Sequence, residues 1–219
     1  MEGGNWIQRQ SAARLIATTF GVLSGIGGII HGIGEVLQGN TPTGGSFIVS
    51  WSTGPIAQYI DGDPAITIVH NFLATGILAI FAGLALITWS AIYVGKRRGG
   101  LIQLGLAIVM MLFGGGGGPP MIGIVASIAA MGIHSPFTFW QKIIRGGFRR
   151  FLAAIWPWVF GVSTAVGLFL VFGHILFAST FAEKASAIFY NSFLVTVVLV
   201  LISTLVGVGF DLQRRNLEE

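Results

Sequence analysis

The chain has 219 residues, 53% of them hydrophobic and only 9% charged, with a mean hydropathy of +0.82. Soluble domains carry about 25% charged residues, so this composition excludes a water-exposed globule and points to lipid as the solvent. The lack of cysteine excludes disulfides, thiolate catalysis and cysteine-held metal or iron–sulfur centres. A net charge of +4 is no sign of nucleic acid: the basic residues sit in short clusters between apolar runs, where they hold topology, with no aromatic platform interleaved.

About 20 consecutive apolar residues suffice to cross a bilayer. On that measure the sequence predicts an all-α polytopic membrane bundle of six transmembrane helices in a single domain, residues 1–219. The first span is Leu15–Leu37. It is too long for the roughly 7–15-residue core of a signal peptide, and no small-residue cleavage site closes it. A polar, turn-rich outer loop follows over 38–64, ending in Asp61-Gly62-Asp63-Pro64. The second span, Ala65–Val94, stops at Lys96-Arg97-Arg98-Gly99-Gly100.

The stretch 101–133 is interrupted by five glycines and two prolines, Gly114 to Pro120. It reads as a hairpin, 101–118 then 120–140, with a proline in the first turn of its second helix; a re-entrant 101–133 hairpin, giving five elements, is the alternative. The fifth span is 151–178 and the sixth 186–210. Of the twelve Lys and Arg residues, all but Lys184 then fall on one side. By the positive-inside rule both termini are cytoplasmic, in a multi-pass protein of the cell membrane.

Spans one and five share the pattern Phe20-Gly21-Val22 and Phe160-Gly161-Val162, and spans two and six share Phe72-Leu73 and Phe193-Leu194. These matches hint at a duplicated hairpin. Trp51, Trp89, Trp140, Trp156 and Trp158 fall near span ends or in the outer loop, as an aromatic belt would.

Chemistry must come from the few polar residues. Gly21, Gly25, Gly28, Gly32 and Gly39 make one smooth stripe on the first span, suited to close helix packing within the chain, in a homo-oligomer or against a membrane partner. Glu35 lies on that stripe, so it is expected to face inward. His31 and Glu35 are one turn apart on the same side, about 24 Å and more from the inner start of the span. His70 and His174 are placed in the same outer leaflet, with Asp61 and Asp63 above them.

Imidazole and carboxylate form a divalent-metal set, so His31, Glu35, His70 and His174 are the candidate ligands. Glu35, His31, Asp61 and Asp63 are the candidate ion path. Haem is disfavoured: His70 with His31 or His174 could supply one ligand pair, but His134, near the inner end of the fourth span, has no partner at its depth, which argues against a two-haem relay. No G-x-S-x-G, H-E-x-x-H or Walker-type motif is present. Three functions remain open: transport or permeation of a small solute or cation, a non-catalytic membrane scaffold or complex subunit, and a membrane-embedded metal-dependent enzyme.

Overall fold

A computed structural model describes residues 11–52, 63–173 and 185–218. The described chain is mainly helical. In order it comprises α1 (Ala12–Val36), β1 (Phe47–Ser50), β2 (Asp63–Ile66), α2 (Phe72–Thr88), α3 (Gly99–Leu112), α4 (Gly118–Met131), α5 (Thr138–Ile143), α6 (Gly146–Leu168) and α7 (Ala185–Glu218). α2 and α6 each end in a π-helical turn, Trp89–Tyr93 and Phe169–Gly173.

Among the described residues, four helices are long and apolar enough to cross a membrane: Ala12–Val36, Phe72–Tyr93, Gly146–Gly173 and Ala187–Asn216. At about 1.5 Å per residue, α1 extends about 37 Å, beyond the ~30 Å hydrocarbon layer. α3 and α4 have only 14 residues each, about 21 Å. They form a short helical pair joined at Gly114–Gly117.

The boundaries differ from the hydropathy reading wherever polar chemistry competes with apolar runs. α1 starts three residues early because the Ser11 hydroxyl accepts the Arg14 amide at 3.2 Å, an N-cap that a hydropathy window ignores. Ala65 and Ile66, assigned to the second span, are in β2, and α2 begins only at Phe72, capped by Asn71, whose side chain accepts the Ala74 amide at 3.0 Å. His70 therefore precedes the helix and is exposed, rather than lying one turn inside it. Residues placed in an irregular outer loop form an antiparallel hairpin, Phe47 opposite Ile66 and Ser50 opposite Asp63, so the fold is not purely helical. The fourth span, extended to Trp140 on hydropathy, stops at Met131, and α5 is a separate turn and a half.

α1 is the axis of the bundle. Over its apolar window 56% is buried, against 33%, 28% and 39% for the other three long helices. One face meets α2 through the predicted glycine stripe. A Cβ on Gly25 would lie 2.7 Å from the Gly83 carbonyl oxygen, and one on Gly76 would lie 2.5 Å from that of Gly32. Only hydrogen at these positions lets two backbones come so close, and the partner face is in the same chain.

The opposite faces of α1 build the main core. Ile16, Phe20 and Leu23 pack with Ile122, Ala126 and Ala129 of α4, Trp156 of α6 and Val200 and Val206 of α7. Trp156 is fully buried and stacks on Phe160 at 5.2 Å, so it is a core residue and not part of an aromatic belt. Phe20 and Phe160, matched in the sequence pattern of spans one and five, meet edge to face at 6.4 Å.

All described Lys and Arg residues lie on helix ends that meet at one pole, called here the basic end. Asp211 of α7 ties that end together, its carboxylate accepting the Ala12 amide at 2.7 Å and the Ala13 amide at 3.2 Å. A carboxylate on the first amides of a helix satisfies orphan donors and opposes the helix dipole. The β-hairpin closes the other pole.

Candidate functional site

The site is assembled where β1 and the α3–α4 turn cover the last two turns of α1. Burial in β1 alternates, with Phe47 and Val49 outward and Ile48 and Ser50 inward, as the period of a strand requires. Ser50 therefore points at α1, and its hydroxyl donates to Glu35 Oε1 at 3.0 Å. Trp51 comes next and its ring lies over Gly34, where a Cβ would be 2.6 Å from the indole.

The α3–α4 turn supplies the other wall. It runs along the free edge of β2 like an extra strand. The Ile68 amide donates to the Leu112 carbonyl at 2.9 Å, Gly114 to Ile66 at 2.9 Å and Gly117 to Pro64 at 3.0 Å. Thr75, near the start of α2, anchors the same turn by donating to the Phe113 carbonyl at 2.8 Å and pairing with Thr67.

Gly114 and Gly116 have φ of +83° and +86°, the left-handed region that glycine enters without steric cost. They also need to be small. A Cβ on Gly114 would sit 2.5 Å from the Glu35 carboxylate, and one on Gly116 would sit 2.5 Å from the His31 ring.

The result is a carboxylate at 0% exposure and an imidazole at 3% inside an apolar bundle. Glu35 Oε1 is held by Ser50, while Oε2 has no hydrogen-bond partner among the described residues. A buried carboxylate oxygen left without a donor is costly, and native structures keep few such atoms without a functional or solvent explanation. A proton, a cation or a donor-bearing solute would satisfy it.

The other predicted site residues are less closely gathered. His31 and Glu35 share the enclosure, as their spacing predicted. His70 is exposed, 3.2 Å from the Ser46 hydroxyl. Asp63 is in β2, whereas Asp61 and His174 lie outside the described residues. Among those described, no three His, Asp or Glu side chains are grouped closely enough to hold a metal. His134 is exposed at the basic end with Nε2 2.8 Å from the Gly95 carbonyl oxygen.

Several buried polar residues are missing from the candidates read from the sequence. Ser50 and Thr67 are in the segment taken for loop, and Asp211 is one residue past the expected end of the last span. Gln103, Ser90, Ser24 and Ser127 are buried along the bundle, with Ser24 donating to the Pro119 carbonyl at 2.6 Å. The inner half of the protein is therefore more polar inside than its hydropathy implied. Gln103, a lone amide in an otherwise apolar run, offered a signal that the sequence reading passed over.

Neither a protein family, nor a curated protein, nor a solved structure matches this chain.

Proposed function

We propose that this protein moves a small cation across the cell membrane, with Glu35 as the residue that binds it and both termini in the cytoplasm. The observation that carries the reading is the open Oε2 of a fully buried Glu35. Ionisable groups inside a membrane bundle are expensive and mark ion or substrate paths by default. The short α3–α4 pair with its glycine turn resembles, in physical terms, the interrupted helices that line transport sites, where irregular backbone is tolerated because it borders a polar cavity. Ser50 and the hairpin close the site from the pole opposite the basic end, which the positive-inside rule makes the outer one.

The chemistry favours a cation over an anion. The open atom is a carboxylate oxygen, and the amides of Gly114 and Gly117 are already committed to β2. A resident metal enzyme would need about three protein ligands, and among the described residues the enclosure offers two, His31 and Glu35.

The test is uptake of Na+, K+ and methylammonium into liposomes carrying the purified protein. Wild-type protein is expected to pass at least one of them, and Glu35→Gln to lower that flux by tenfold or more while melting at an unchanged temperature. Absence of flux in the wild type, or equal flux in the variant, rejects the reading.

A further inference from the structure

Glu35 is the outermost of three residues at seven-residue steps on one stripe of α1: Gly21, Gly28 and Glu35. At ~1.5 Å per residue these steps are about 10 Å each, so the stripe reports what the bundle holds at three depths. At Gly28 it holds Met110, fully buried, with its Cγ 3.0 Å from where a Cβ would be and its sulfur closer still. At Gly21 it holds Ser90 and Gln103: a Cβ there would lie 2.7 Å from the Ser90 Cβ and 2.5 Å from Gln103 Nε2. Met110 thus separates two polar levels.

The lower level has the same defect as the upper one. Ser90 and Gln103 are both at 0% exposure. The Gln103 amide nitrogen donates to the Ala17 carbonyl at 3.0 Å, but among the described residues its Oε1 has no hydrogen-bond partner, and neither has the Ser90 hydroxyl. An amide oxygen only accepts and a hydroxyl both accepts and donates, so the open atoms are two oxygens. Ser90 also stands in the π-helical turn Trp89–Tyr93 that ends α2, and such turns are frequent at functional positions.

We propose that Gln103 Oε1 and Ser90 Oγ form a second cation site, on the basic-end side of Met110, that takes a monovalent cation together with its remaining water. The ligand class rests on the permeation reading of Glu35; the existence of the site does not. Two neutral oxygens suit a weakly held monovalent ion, and neither side chain carries the positive charge that would hold an anion. Met110 is then the apolar plug between an outer carboxylate site and an inner neutral one, and an ion passing between them must pass its sulfur.

The chain has no cysteine, so single cysteines report on the site directly, with silver ion as a thiol-seeking monovalent cation. In liposome-embedded protein, Ser90→Cys is to be exposed to silver, then unfolded and alkylated, with Ala126→Cys in the main core as the dry comparison. Silver is expected to block Ser90→Cys at least tenfold faster than Ala126→Cys. Na+ or K+ should slow that block at least threefold relative to the bulky N-methylglucamine ion, and adding Gln103→Leu should remove the slowing. Gln103→Cys replaces Ser90→Cys if the latter does not fold.

Block no faster than at Ala126→Cys overturns the site. Fast block that ignores Na+ and K+ leaves a water pocket only and overturns the cation assignment. The readout is independent of flux. A reactive Ser90→Cys in a protein that passes no cation rejects the transport reading alone, and an unreactive one in a protein that does pass cations rejects this site alone.

Discussion

Asp211 and Glu35 are both buried carboxylates, and their surroundings set them to opposite tasks. Each Asp211 oxygen accepts an amide from the first turn of α1, so the group is structural and joins the end of the last helix to the start of the first. Asp211→Ala should lower stability by about 1–2 kcal/mol, the loss of a helix cap with charge. Asp211→Asn should lose less, because an amide oxygen still accepts. Denaturation midpoints in detergent would show the order, and an Asn variant as weak as the Ala variant would mean that charge and not hydrogen bonding carries the contact. Glu35 keeps one oxygen open, and its Gln variant should lose flux rather than stability. The inward direction of Glu35 was legible from the glycine stripe beneath it. Its partner Ser50 was not, because only the strand register of β1 turns that hydroxyl toward α1.

Among the elements, the glycine turn between α3 and α4 contributes shape and conformation together, and these can be separated. Gly39 has φ of +76° with nothing within 4 Å of a Cβ, whereas Gly114 has φ of +83° with the Glu35 carboxylate 2.5 Å away. Alanine at Gly39 should cost only the left-handed backbone term, about 1–2 kcal/mol. Alanine at Gly114 should cost that and more, and should also reduce flux; equal effects at the two positions would show that the turn does not press on Glu35. The sequence marked this turn by composition alone. It could not show that β2 would bind the turn along its edge, since that pairing joins residues some fifty positions apart whose partners follow no local periodicity. For the same reason hydropathy ran α2 back through Ala65 and Ile66, where an apolar strand and an apolar helix start look alike.

For the whole molecule, the one-ended distribution of charge predicts its orientation. A cysteine at Gly45, in the segment before β1, should react with a membrane-impermeant maleimide on intact cells. One at Gly147, in the first turn of α6, should react only after permeabilisation. The reverse pattern would invert the topology and place the Glu35 site on the cytoplasmic face. Hydropathy and charge counts, which depend on composition and not on partners, determined from the sequence alone that this is a membrane helix protein with its basic residues clustered between apolar runs and a small-residue face on its first helix. Tertiary structure decided that this face is spent inside the chain on α2, that α3 and α4 are short, and that buried oxygens of Glu35, Ser90 and Gln103 are left open at two depths along α1. Burial of a polar atom depends on every element packed around it, and no window along a chain contains those neighbours.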